Sequence, residues 1–284
     1  MGREEEMKYG IALATFQLEF GDFGRIAFHG KDIKENLKVI KQLGYDGIDL
    51  FTKQMSDEDL KDIKTTINKL NLEVPLFVAI FLSQQGVNLS DSDEKNRLES
   101  IKKFKEQINY ASMFGSKMPL GFIRGNMKKD DLETDYQVRL ADSLQQLSEF
   151  AEDRGVKIVF EPINHHEVNS FLRVDQSIAF LEKYHLDKLE LLIDTYHMNI
   201  EESSIEDAIK MASSRIGHVH ITDSNGRAPG DGHLDYKAIL QALKDVDYEG
   251  FLSSESFPLP SSYENGKRGI EHLKKTFQSI ININ

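Results

Sequence analysis

The sequence contains no cysteine, which removes disulfides, thiolate metal sites and cysteine nucleophiles together and agrees with a reducing compartment. Basic residues are in deficit: 35 Lys and Arg stand against 47 Asp and Glu, a formal charge of -12. A surface that negative repels phosphate backbones unless a local basic cleft overrides it, so nucleic acid is not an expected partner. Nowhere do about 18 consecutive apolar residues occur, so no membrane-spanning helix is expected. The opening MGREEEMKYG lacks the basic and apolar regions of a signal peptide. No Pro/Ser-rich linker interrupts the chain. These absences lead to the expectation of a cytoplasmic protein, with residues 1–6 as a loose tail and residues 7–284 as one domain.

What is present is enough apolar material, 39% of 284 residues, for one large core. Short β-rich runs recur at 9–14, 46–51, 73–79, 117–122, 157–161, 189–194, 217–222 and 250–255. Between them lie amphipathic stretches. In DIKENLKVIKQLG, Ile33, Leu37, Ile40 and Leu43 fall at steps of three or four, and Gly44 stops the helix. RLESIKKFKEQINYASMFG, YQVRLADSLQQLSEFAEDRG, VDQSIAFLEKYH, SIEDAIKMASSR and DYKAILQALKDV repeat the scheme. Strand and helix alternating without a break predict an α/β chain folded as a single (β/α)8 TIM barrel, with an open doubly wound sheet as the rival. The long first loop, 15–31, carries Phe16, Phe20, Phe23 and Phe28, which serve either as a lid or as ordinary packing.

In such a barrel the C-terminal ends of the strands share one mouth, so polar residues there meet although far apart in sequence. The fifth run ends in Glu161 and continues as PINHHE. The sixth ends in Asp194 with His197 beyond it, the seventh places His218 and His220 on one face, and the eighth ends in Glu255. One acid at a strand end reads most simply as a cap or a solvated group. Three at one mouth repel one another unless a cation neutralises them. A divalent metal held by Glu161, Asp194, His220 and Glu255 is therefore expected. Oxygen-rich ligation with one nitrogen suits Mn2+ first, with Co2+, Mg2+ and Zn2+ as alternatives. His218, one pleat deeper, reads as a group that orients a ligand from behind.

EPINHHE, DTYHMNIEE, HVHITDSNGRAPGDGHLDY and SSES resemble the xylose-isomerase-like TIM-barrel superfamily, and most of all the ketose 3-epimerases of the D-tagatose 3-epimerase group. The resemblance spans the barrel, with its motifs in residues 157–257. It implies that Glu161 and Glu255 bind the metal and act as the acid/base pair, that Asp194 and His220 complete the coordination, and that Glu167 and His197 contact substrate oxygens. Relatives commonly carry an arginine directly after the Asn of DSN. Here that place is Gly226, and the arginine follows as Arg227, which either reaches the substrate by another path or is a solvated loop residue. Arg124, bracketed by Gly121 and Gly125, is a further candidate for binding a sugar oxygen, a carboxylate or a phosphate. His233 either faces the pocket or caps the turn.

The expected activity is metal-dependent epimerisation of a ketose, free or derivatised, at C3: one glutamate removes a proton beside the ketone and the other returns one to the opposite face. Return to the neighbouring carbon would make the protein an aldose–ketose isomerase, and loss of water an inosose-dehydratase-like lyase. An endonuclease IV-like repair enzyme would need more ligands and a basic groove. A sugar-binding barrel without turnover is the non-catalytic alternative. A small-molecule sugar is the expected partner, and the resemblance leaves a homodimer or homotetramer open.

Overall fold

The computed structural model describes residues 7–18, 25–30 and 32–281. Eight strands alternate with helices among the described residues: β1 Lys8–Ala14, β2 Gly47–Phe51, β3 Glu73–Val78, β4 Met118–Pro119, β5 Ile158–Phe160, β6 Glu190–Asp194, β7 Ile216–His220 and β8 Phe251–Ser254. The α-helices are α1 Ile33–Leu43, α2 Asp57–Lys69, α3 Phe81–Gln84, α4 Glu94–Phe114, α5 Glu133–Glu152, α6 Val174–Lys183, α7 Thr195–Glu201, α8 Ile205–Ala212, α9 Tyr236–Asp245 and α10 Ser262–Ile281. All strand pairs are parallel, in the order β3-β2-β1-β8-β7-β6-β5-β4. A parallel bridge between Leu76 and Lys117 joins the two ends of that order, with Phe77 N–H donating to Lys117 O at 2.9 Å. The chain is thus a single, nearly closed (β/α)8 barrel, as the sequence pattern leads one to expect.

Local chemistry sets the helix ends. The Asp32 carboxylate accepts from Glu35 N–H at 3.0 Å to start α1, and Gly44, at φ 89°, ends it in the left-handed region. Ser204 and Asp235 cap α8 and α9 in the same way. The helices bury their apolar stripes on the outer face of the barrel, while Leu76, Val159 and Leu192 form a separate apolar cluster. Leu76 is in register with Asp49 and Leu192 with His218. Because Asp49 and His218 are hydrogen-bonded although β2 and β7 are not neighbours, these side chains point into the barrel.

The structure departs from the sequence pattern at the fourth strand. Only Met118 and Pro119 are extended; Leu120 turns into the α region, Gly121 takes φ 47°, and Gly121–Arg124 form one turn of 3₁₀ helix. Proline has no N–H to continue the ladder. In the first loop, Phe28 belongs to the core: it bridges Leu13, and its carbonyl accepts from Ala14 N–H at 2.8 Å. Phe16 packs against the cluster of Ala12, Ala14, Ile26 and Phe51. Phe20, Phe23 and the tail 1–6 lie outside the described residues.

Candidate metal and acid–base site

The last residues of β6 and β7 are Asp194 and His220, and Glu161 and Glu255 stand one residue past β5 and β8. Those ends converge. Ligand-capable atoms of Asp194, His220 and Glu255 lie within 4.8 Å of one another, as do those of Glu161, Asp194 and His197. Asp194 belongs to both groups and is completely buried. Its Oδ1 accepts from Tyr196 N–H at 2.9 Å, capping α7, while its Oδ2 has no hydrogen-bond partner among the described residues. His220 Nδ1 is in the same position: it lies 2.9 Å from Glu255 Oε2 without the alignment of a hydrogen bond.

Behind His220 stands Asp49, in the middle of β2. Its Oδ2 is 3.1 Å from His220 Nε2 and 2.9 Å from His218 Nε2, and all three residues are buried. An ionised carboxylate only accepts, so both imidazoles must present Nε2–H to it. This arrangement reserves Nδ1 of a neutral His220 as a lone pair aimed at the mouth, the way carboxylates fix the tautomer of metal-binding histidines. Burial opposes the charge on Asp49, but the two imidazoles outweigh it and hold the carboxyl well below the usual range.

Electrostatics at the mouth call for a cation. Burial, with the neighbouring Glu255 and Asp194 charges, pushes Glu161 up to about 8 against the pull of His220 and Arg25. Burial and Glu255 push Asp194 up to about 6. Burial would lower His220, yet the carboxylates of Glu255 and Asp49 raise it well above an ordinary histidine. The carboxylates and the imidazole thus share too few positive charges. Two buried donor atoms without a hydrogen-bond partner among the described residues, three carboxylates and one neutral-capable imidazole fit a divalent ion of borderline or hard character.

A cavity of about 340 Å³ opens onto this centre, with Arg25, Glu161, Glu167, His197, His220 and Glu255 on one side. His197, on α7, is almost fully buried. Asn164 spends its amide oxygen on His166 N–H (3.0 Å) and donates its nitrogen to Glu167 (3.1 Å), with the same nitrogen 2.7 Å from His197 Nδ1. His197 Nδ1 thus lies against the Asn164 amide nitrogen, while its Nε2 faces the cavity beside the Arg25 guanidinium, a donor 3.2 Å away. Burial and the Arg25 cation hold His197 well below its usual range, so it is neutral. Arg25 lies 3.5 Å from Glu167 Oε1 and 3.2 Å from His197 Nε2, with its guanidinium carbon 4.1 Å from the centre of the Tyr196 ring.

Six of the residues singled out from sequence, Glu161, Glu167, Asp194, His197, His220 and Glu255, are therefore brought together. Two are not. Arg124 is completely buried, and its guanidinium donates to backbone carbonyls of Glu161, of Ser170 (2.9 Å) and of Phe171, over the rings of Phe160 and Phe171. It braces the backbone of Glu161 from behind instead of facing the cavity. Arg227 is exposed and is not among the residues lining the cavity. Gly226, the position where the family resemblance leads one to expect arginine, has φ 75°, and a Cβ there would lie 2.5 Å from Phe257 Cε2 and 3.6 Å from Arg25 Cδ. The space is taken by Phe257 and the stem of Arg25. His233 Nδ1 pairs with Ser224 Oγ at 2.9 Å, within the turn.

Sequence reasoning missed Asp49 and Arg25. For Asp49 a signal existed: GIDLF places an acid inside an otherwise apolar strand, and a buried charge requires partners. Arg25 sits in an irregular loop with no pattern to mark it.

The family model described as the xylose isomerase-like TIM barrel matches residues 37–276. Among curated relatives, a D-psicose 3-epimerase of Enterocloster bolteae is 27% identical over 266 residues, covering 88% of this chain and 82% of its own. An L-ribulose 3-epimerase of Mesorhizobium japonicum is 29% identical, covering 80% and 76%. A 3-dehydro-D-guloside 4-epimerase of Escherichia coli is 25% identical, covering 81% and 88%. A solved structure of L-ribulose 3-epimerase superposes with TM-score 0.82 at 22% identity, covering 98% of each chain, which supports the fold. With most of its length matched by that model and the barrel formed as described, this chain belongs to the xylose isomerase-like TIM barrel family.

Proposed function

We propose that the protein is a divalent-metal-dependent sugar epimerase that inverts the carbon next to a ketone, C3 of a ketose, by removing a proton on one face and returning one on the other. The observation that carries this reading is the mouth itself. Two glutamates from β5 and β8 meet an aspartate and a histidine whose buried donor atoms, Asp194 Oδ2 and His220 Nδ1, have no hydrogen-bond partner among the described residues, only ionic neighbours in Arg25, His197 and Glu255. Relatives named as ketose 3-epimerases support the same chemistry.

Glu161, Asp194, His220 and Glu255 would hold the ion, Mn2+ by preference, which when bound withdraws charge from the ketone and neighbouring hydroxyl oxygens. The chain's own groups do the rest. Glu161 and Glu255 exchange protons with the carbon between them, one accepting as the other donates. His197 Nε2, paired with Arg25, and Glu167 contact substrate oxygens from the cavity wall. The guanidinium that faces the substrate is that of Arg25; Arg227 and Arg124, both candidates on sequence grounds, are directed elsewhere.

Incubation of a ketose panel in heavy water tests the proposal, using metal-stripped protein with and without restored Mn2+, Co2+ or Mg2+. Deuterium should enter C3 only when metal is present. Absence of label at C3 and its neighbours with every sugar would end the proposal, label at the adjoining carbon with an aldose product would make the protein an isomerase, and a mass loss of water would make it a lyase. Glu255→Gln should still bind sugar while turnover is abolished, the outcome that separates an enzyme from a sugar-binding barrel.

A further inference from the structure

One turn of chain grips the loop that carries two of the site's acids. The loop after β5, residues 161–171, holds Glu161, then Asn164 beside His197, then Glu167. Because β4 ends at Pro119, the chain turns early and sets Arg124 and Gly125 against both ends of that loop. One terminal nitrogen of Arg124 donates to the Glu161 carbonyl at the loop's start, and the other donates to Ser170 O at 2.9 Å and Phe171 O at 3.5 Å at its end. The guanidinium is completely buried, 5.2 and 6.0 Å from the ring centres of Phe160 and Phe171. Phe171 stands at φ 52°, a left-handed backbone that a bulky side chain rarely adopts. Neighbouring residues tighten the grip. Tyr136 donates its hydroxyl to Gly125 O at 2.9 Å and lies 2.8 Å from Ser170 Oγ. Asn169 N–H donates to Asn126 Oδ1 at 3.1 Å, and the Asn169 side chain accepts from Met127 N–H at 2.9 Å and donates to Met127 O at 2.8 Å.

We infer that Arg124 is a positioning residue for the reaction: it clasps the two ends of the 161–171 loop and so fixes where Glu161 and Glu167 stand relative to Asp194, His220 and Glu255. This rests on the epimerase reading and adds to it a residue that acts through the loop alone. Filling the interior does not require a cation, since well-packed apolar side chains of similar volume often replace buried charges without loss of stability. What a guanidinium alone supplies is a rigid planar fork of donors that reaches two separated acceptors at once, whereas a lysine ammonium is a single point and satisfies one end. Between the clasped ends the loop makes a turn of its own, with Glu167 N–H and Val168 N–H donating to Asn164 O at 3.1 and 3.2 Å. With its ends fixed, its interior follows. A displacement of about 1 Å among groups that handle the proton lowers turnover about 10²-fold, while Asp194, His220 and Glu255, held by other strands, stay in place.

Arg124→Lys, compared with the unaltered protein, tests this by amide hydrogen exchange and by deuterium incorporation into the ketose. Amides of 164–169 should exchange at least about tenfold faster in the variant, the scale of one lost charge-assisted hydrogen bond, while those of β2 and β7 keep their protection. With Mn2+ restored, kcat should fall about 10²-fold at a temperature where circular dichroism shows the variant fully folded, and one ion should still bind per chain. A role confined to core packing predicts loosening spread over the whole barrel and activity lost only in proportion to unfolded protein. That result overturns the inference, as does unchanged exchange in the loop. Should Arg124→Lys fail to fold, Asn169→Ala decides. Exposed at the end of the loop, it removes two hydrogen bonds of the clasp and should speed exchange of the same amides by about fivefold or more, with kcat lowered in step. Loop amides as slow as in the unaltered protein overturn the inference. An unaltered protein that labels no ketose defeats the epimerase reading, whereas the amide measurement still judges the clasp by itself.

Discussion

Asp49 shows how one residue can govern a site without facing it. Its single oxygen Oδ2 accepts from both His218 and His220, and so it decides which nitrogen of His220 is free. Asp49→Asn keeps a carbonyl oxygen for one role but loses the charge and brings two N–H groups into a place where Asp49 Oδ1 has no partner among the described residues. Metal affinity should fall by roughly 10–100-fold, the usual cost of removing such outer support. Calorimetric titration of metal-stripped protein measures this directly; an unchanged dissociation constant would leave Asp49 as a purely structural residue. The ligand candidates were readable from sequence because a strand end in a barrel has a known destination. The acid inside GIDLF marked Asp49 as a buried charge, but not its partners, which lie 169 and 171 positions away and which only the closed barrel brings face to face.

At the scale of elements, the segment after β7 shows what a strand end needs in order to turn. The Asp223 carboxylate accepts from Ser224 N–H at 2.7 Å, Gly230 N–H at 2.9 Å and Leu234 N–H at 3.3 Å, drawing the whole loop around one acid. Gly230, at φ 91°, takes a left-handed conformation in this turn. What sequence could not show is that Gly226 is fixed by its neighbours. Gly226→Ala would combine a positive φ with a clash against Phe257. It should destabilise the fold by about 1–3 kcal/mol and displace Phe257, which lines the cavity. Denaturant unfolding reads the first effect, and an increased KM for the sugar reads the second. A stability equal to that of the unaltered protein would mean that Phe257 swings away freely. The fourth strand is shorter than the sequence pattern implies: apolar content marks 117–122 as extended, whereas the chain turns after Pro119, with Leu120 in the α region and Gly121 at φ 47°.

The architecture of the whole molecule was the most legible level, because eight strand–helix repeats leave few alternatives. Its charge balance was legible only as a sum of -12, and the concentration of part of that charge at the mouth yields a pH dependence. Glu161 rises from an ordinary 4.5 to about 8 in the folded protein. Between those values the metal-free folded state holds a proton that the unfolded chain releases, so stability falls as pH rises. Asp194 acts in the same sense up to about 6. Histidines 197 and 218, held low by burial, act in the opposite sense, but only below their unfolded value of 6.5. From pH 6.5 to 8 the carboxyl effect therefore stands clear, joined by His220, whose raised folded value has the same sign. The Tm of metal-free protein should drop across that interval at constant ionic strength. A divalent ion displaces the same protons, so its affinity grows with pH, and at about 100 times its dissociation constant it adds about 2.7 kcal/mol. Melting curves with and without Mn2+ should consequently diverge from pH 6.5 to 8. Parallel curves, or a metal-free Tm that rises, would mean that the carboxylates at the mouth do not act as one electrostatic unit, and the case for a shared ion would lose its physical basis.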